Sequence, residues 1–92
     1  MFVLVAYEIS SNRRRKKIAK VLSGFGDRVN LFVFECEFTD PKMLNTLKAE
    51  IKNIIKAKKD HVRYYMICKG CREKITVQGY GTIGEEKTVQ FA

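Results

Sequence analysis

VAYEISSNRRRKKIAK, Val5 to Lys20, decides how this chain begins to fold. An apolar run ends at a single acid, Glu8, and five consecutive cations follow shortly after it: Arg13, Arg14, Arg15, Lys16 and Lys17. The apolar side reaches back to Phe2 and is rich in β-branched and aromatic types, which reads as a central strand covered on both faces. Ser10, Ser11 and Asn12 are good helix N-caps. Beyond them Ile18, Val21, Leu22 and Phe25 recur at three- and four-residue spacing, so a helix follows with one core stripe. Cations in the first turn of a helix are mildly unfavourable, by roughly 0.3–1 kcal/mol each at low salt. Their concentration here calls for a negatively charged partner.

Outward from this junction the pattern continues in short elements. Gly24 and Gly26 end the first helix. Arg28 to Phe38 (RVNLFVFECEF) is strongly β-forming, and pattern alone leaves open one strand or two joined by a very tight turn. Asp40 and Pro41 then open a second helix as N-cap and first helical residue, with Leu44, Leu47, Ile51, Ile54 and Ile55 as its apolar stripe and Lys48, Lys52 and Lys56 on its wet side. His61 to Cys68 reads as a strand and Ile75 to Gln78 as a shorter one. Gly79, Gly81 and Gly84 make a loose connection to a last strand-like piece, Lys87 to Ala92. The order predicts an α+β protein, a ferredoxin-like βαββαβ sandwich with both helices on one face and an additional C-terminal strand. Residues 1–92 form one domain, in which residues 80–92 are a C-terminal segment expected to pair across a homodimer.

Ninety-two residues supply only a modest core, which favours pairing of two copies. Eighteen Lys and Arg against ten Asp and Glu leave a net charge of +8, the footprint of a nucleic-acid binder. No apolar run approaches the length needed to cross a bilayer, and the N-terminal run lacks the basic lead of a signal peptide. A cytoplasmic protein without membrane contact is expected. Cys68 and Cys71 form one CxxC, but only Cys36 and His61 remain to complete a zinc site, at no recognisable spacing. Small thiols packed at a strand end are the simpler reading.

Chemistry narrows to Glu8. No phosphate-binding glycine loop occurs, His61 lacks a partner motif, and the serines and cysteines lack a base. A strand-end acid is usually solvated or paired with nearby cations, and Arg13 to Lys17 offer partners. The functional alternative starts from location, at a strand end beside a helix N-terminus that favours phosphate. One carboxylate is too few for a magnesium nuclease site, but a two-fold axis would bring two copies of Glu8 together. The cations then serve an external polyanion, the alternative being a merely solvated basic face.

The segments VLVAYEI, RRRKKIAKVL, GFGDRVNLFVFECEF and DHVRYYMICKGCREKI followed by ITVQGYG resemble the CRISPR-associated Cas-two family over nearly the whole chain. The resemblance implies a ferredoxin-like homodimer of spacer acquisition. Such a dimer binds DNA or RNA together with the Cas-one integrase, either as its non-catalytic central scaffold or as an endonuclease dependent on Mg2+ or Mn2+. It places Glu8 where the family has the aspartate whose two copies hold the metal. It matches Arg15 and Lys17 to basic positions on the first helix, Arg28 to the arginine before the second strand, and Phe34 to the phenylalanine of Val-Phe-Glu, and it implies two short strands within Arg28 to Phe38. Together with the basic run, the nucleic-acid-binding set is Arg13, Arg14, Arg15, Lys17 and Arg28, with Phe34 in support. Three positions depart from the family pattern: Glu8 for aspartate, Asn30 for glutamine and Phe32 for serine. The extra methylene at Glu8 moves the oxygens by about 1.5 Å, and misplacement on that scale costs about a hundredfold in rate. A toxin-like ribonuclease of a related ferredoxin-like family is the alternative outside CRISPR systems.

Overall fold

The structure is a computed structural model that describes residues 1–81 and the backbone of residues 90–91. Strand β1 (Phe2–Glu8) runs into helix α1 (Asn12–Ser23), followed by β2 (Gly26–Asn30), β3 (Val33–Glu37), α2 (Pro41–Ile54) and β4 (His61–Ile67). A single helical turn, α3 (Lys69–Arg72), and two short strands, β5 (Val77–Gln78) and β6 (Gln90–Phe91), complete it. The first four strands form one sheet in the order β2-β3-β1-β4, each neighbouring pair antiparallel. This is the predicted βαββαβ arrangement, and Arg28 to Phe38 is indeed split into two strands.

Local chemistry explains the boundaries. Ser11 caps α1, its hydroxyl accepting from the Arg14 backbone N–H, and Asp40 caps α2 by accepting from Lys42, with Pro41 in the first turn. Gly24 closes α1, whereas Gly26 belongs to β2 and serves the sheet instead. A Cβ at Gly26 would lie 2.1 Å from the Glu35 carbonyl oxygen, so only glycine lets β2 approach β3 there. Leu31 and Phe32 alone turn the chain between β2 and β3, and the register shifts between Arg28 and Asn30, an irregularity that bends the hairpin.

The core lies between the sheet and the two long helices. Val3, Val5 and Tyr7 of β1 and Phe34 and Cys36 of β3 meet Ile18 and Leu22 of α1 and Leu44, Leu47 and Ile51 of α2. Side chains alternate along a strand, so Leu4, Ala6 and Glu8 point to the other face, where Leu4 and Ala6 are half-buried. The expectation that β1 is covered on both faces is therefore corrected: the helices cover one face only. On the second face Phe2 is buried beneath Arg72, whose guanidinium lies 4.5 Å from the ring centroid and also ion-pairs with Glu37.

One expectation for the C-terminal third changes. Cys68 and Cys71 are exposed, on the α3 turn that the strand pattern did not anticipate. Of the segment expected to pair across a dimer, β6 pairs in parallel with β5 of the same chain, while residues 82–89 and 92 lie outside the described residues.

Candidate nucleic-acid interface

The junction that opens the sequence becomes the busiest corner of the molecule. Period-two alternation sends Tyr7 toward the helices and Glu8 to the opposite face of the sheet. Tyr7 is buried, its hydroxyl donating to the Leu31 carbonyl at 3.5 Å and its ring edge-on to Phe32 with centroids 5.6 Å apart. Glu8 keeps 81% of its side chain exposed and lies directly across from His61 of β4, with Oε2 3.5 Å from His61 Nε2. Arg63, two residues along β4 on the same face, feels the Glu8 charge, and its guanidinium donates to the Tyr65 hydroxyl at 3.4 Å.

Among the described residues no ion pair joins Glu8 to Arg13, Arg14, Arg15, Lys16 or Lys17. Of the two ordinary fates of a strand-end acid, Glu8 shows the solvated one, with a cross-strand histidine beside it in place of the basic run. His61 and Arg63 are residues that sequence reasoning missed. The only signal for them was their place at the start of a strand, and strand pairing is invisible until the sheet order is known.

The five cations divide by helix geometry. Arg14 points inward to Asp60, Nε at 2.7 Å from one carboxylate oxygen and Nη2 at 3.1 Å from the other. Asp60 has no exposed side-chain surface and also accepts from the Ser10 backbone and hydroxyl and from the Lys56 backbone. The Arg14 hydrogen bonds, helped by these backbone donors, hold the Asp60 carboxyl well below the usual carboxylate range, outweighing the opposing effect of desolvation. Arg14 was grouped with the nucleic-acid contacts; here it is the clasp that ties the β1–α1 junction to the entrance of β4.

Arg13, Lys16, Lys17 and Lys20 remain exposed on α1. Arg15 is half-buried with its guanidinium 5.7 Å from the Phe32 ring centroid, and its buried Nε has no acceptor among the described residues. Arg28 extends over the Phe34 ring at 5.3 Å. Phe34 itself is a core side chain, a floor under Arg28 rather than a free stacking platform. Lys20 and Arg28 line one shallow groove between α1 and β2. The exposed α1 cations and Arg28 of β2 therefore lie on one surface, with Asp27 beside Arg28, and the Glu8–His61–Arg63 group sits at the end of the sheet on its opposite face.

A bound divalent ion needs several oxygen or nitrogen donors. Glu8 and His61 present two, and among the described residues no group of three or more His, Cys, Asp or Glu side chains is assembled for a metal. The donor types fit a divalent cation, whose remaining positions the described residues of this chain do not fill. No helix among the described residues is long and apolar enough to cross a membrane.

Comparison with known proteins agrees with this architecture. Residues 1–75 match the family model described as CRISPR associated protein Cas2. A relative named CRISPR-associated endoribonuclease Cas2 1, from Chloroflexus aurantiacus, is 43% identical over 88% of this chain and 87% of its own length. The crystal structure of Streptococcus pyogenes Cas2 at pH 6.5 superposes with a TM-score of 0.74 at 31% identity, covering 82% of this chain and 95% of that one. A chain of a partial Cas6-RT-Cas1–Cas2 complex superposes at 0.69 with 27% identity, over 78% of each chain. The toxin-like alternative gives way to these matches. Fold and sequence agree: this chain belongs to the CRISPR-associated protein Cas2 family.

Proposed function

We propose that two copies of this chain form the nucleic-acid-binding dimer of CRISPR spacer acquisition, working with the Cas1 integrase, and that the paired Glu8 carboxylates support metal-dependent phosphodiester hydrolysis. The observation that carries this reading is the state of Glu8, an exposed carboxylate whose neighbours are His61 and Arg63 while Arg13, Lys16 and Lys17 of α1 stay open. Had the basic run neutralised Glu8, both the acid and the phosphate-binding surface would have been used up. The names of the endonuclease relative and of the Cas1–Cas2 assembly support the two halves of the proposal.

A divalent cation, Mg2+ or Mn2+, would be held by Glu8 of both copies with His61 beside it, and when bound it polarises a phosphoryl oxygen and makes its water more acidic. The remaining tasks belong to the chain. Arg13, Lys16, Lys17 and Arg28 hold the backbone of DNA or RNA by charge, without reading sequence. Arg15, its guanidinium resting on the Phe32 ring, adds its charge to the same surface. Arg63 stands near enough to Glu8 to steady negative charge developing at the scissile phosphate.

Purified protein assayed on labelled RNA and duplex DNA, with magnesium and with chelator, tests this reading. Glu8→Gln keeps the shape and removes the charge, so it should abolish metal-dependent cleavage while leaving duplex binding and the dimer intact. Cleavage by Glu8→Gln at the wild-type rate would refute hydrolysis at this site. Glu8→Asp shortens the arm by one carbon, and raised activity would show that the wild-type carboxylate sits too far forward. If neither protein cleaves yet both support integration with Cas1, the binding half of the proposal holds alone.

A further inference from the structure

The turn after β4 carries two thiols that nucleic-acid binding leaves unused. Cys68 stands at the N-cap of α3 and Cys71 three residues on, both exposed. The Cys68 Sγ accepts from the Cys71 backbone N–H at 3.4 Å. Residues three apart on a helical turn are neighbours on its surface. Arg72, the next residue, stacks on Phe2 and ion-pairs with Glu37, so the turn is anchored to the sheet before any bond forms. Among the described residues no third metal-ligating side chain accompanies the pair, which leaves a zinc site without its remaining ligands.

We propose that Cys68 and Cys71 are a redox-active dithiol that closes reversibly to an intramolecular disulfide by exchange with a small-molecule disulfide. Cys68 is the attacking sulfur and Cys71 the resolving one. The backbone N–H of Cys71, followed by its thiol, favours the Cys68 thiolate and draws its pKa down, while the same thiol hydrogen bond raises that of Cys71. The Cys68 thiolate, its proton lost to water, attacks one sulfur of the external disulfide. A mixed disulfide forms and one small thiolate leaves. Cys71 then loses its proton and attacks the Cys68 sulfur, displacing the second small thiolate. Two protein thiols are oxidised by two electrons, and the external disulfide is reduced to two thiols. The third cysteine, Cys36, is an internal control: it is fully buried, and burial, with smaller contributions from Asp27 and Glu35, pushes its thiol up to about 11.

The test equilibrates the full chain with mixtures of reduced and oxidised glutathione, quenches with acid, alkylates free thiols and maps the peptides by mass. The expected result is one two-electron transition to a Cys68–Cys71 bridge, with Cys36 unmodified until the protein is denatured. Cys71→Ser should trap glutathione on Cys68, and Cys68→Ser should leave Cys71 at least tenfold slower to react. Persistent mixed disulfides in the wild type, bridges only between chains, or no oxidation at any ratio would overturn the proposal. So would protection of both thiols by stoichiometric zinc, which would make the pair a metal site. Comparable reactivity of the two single variants would overturn the assigned order of attack.

Discussion

Arg14 and Asp60 show how one residue in a run of like residues acquires a different task. Arg13, Lys16 and Lys17 are open to solvent, but Arg14 falls on the α1 surface that meets the β4 entrance, and there it satisfies a carboxylate with no exposed side-chain surface. The Asp60 carboxyl, held by Arg14 below its ordinary value, sets a pH signature. A carboxylate whose folded pKa is depressed stabilises the fold fully above its unfolded value of about 3.9, and the contribution is lost as pH falls from there toward the folded value. Thermal unfolding of the wild type should therefore weaken steeply below about pH 4. Asp60→Asn should melt lower at neutral pH yet lose less on acidification, so the two curves converge. A constant gap between them at all pH values would show that this pair is not the source. Removing Arg14 instead strands a buried charge, so Arg14→Ala should lose melting temperature first and nucleic-acid affinity only as a consequence.

Among the elements, the β2–β3 hairpin decides where Arg28 stands. Gly26 passes so close to β3 that an added Cβ would meet backbone atoms, the Glu35 carbonyl oxygen at 2.1 Å and the Cys36 Cα at 2.6 Å. Backbone cannot swing aside as a flexible side chain can, so Gly26→Ala should cost about 1–3 kcal/mol in urea unfolding, the usual range for overpacking. Gly24 is the matched control. It has right-handed helical dihedrals, and its nearest foreign atom to an added Cβ is the Val21 carbonyl oxygen at 3.4 Å. Gly24→Ala should leave stability unchanged or raise it by about 0.4–1 kcal/mol through a less flexible unfolded chain. Equal effects at the two glycines would mean that strand approach does not constrain the hairpin. Because Arg28 and Lys20 share the groove that Gly26 also lines, Gly26→Ala should weaken duplex binding as well.

At the scale of the molecule, charge is sorted between surfaces. The exposed α1 cations and Arg28 make a basic face, and the net charge of +8 draws polyanions to it. Duplex affinity should fall steeply with salt, and each phosphate contact removed should flatten the log–log slope by about 0.9. Arg13→Ala, Lys16→Ala and Lys17→Ala together, which spare the Arg14 clasp, should weaken binding uniformly across sequences and flatten the slope by about 2–3 if each cation touches a phosphate. An unchanged slope would reduce the basic run to a solvated face. The second sheet face carries Glu8, and sedimentation should show a dimer at micromolar concentration if two copies share that site; a monomer there would leave Glu8 without the donors a metal needs.

Much of this was legible in the residues alone. The caps Ser11 and Asp40–Pro41, the stripes Ile18–Leu22 and Leu44–Leu47–Ile51, and the strand of Phe2 to Glu8 are local signals, set by backbone hydrogen bonding and by periods of 3.6 and two. They determined element types and order, and with them the ferredoxin-like sandwich. Glu8 and the basic run were visible as unusual placements of charge. Their partners were not, because pairing joins residues far apart in the chain: His61 meets Glu8 only through β1–β4 register, and Asp60 meets Arg14 across 46 positions. The contrast between Gly24 and Gly26 depends likewise on β3 passing beside only one of them. The face on which each cation emerges, and whether Cys68 and Cys71 are packed or open, rested on how the helices and the α3 turn dock. Local pattern specifies which residues seek burial or a partner; only tertiary packing selects which neighbour answers.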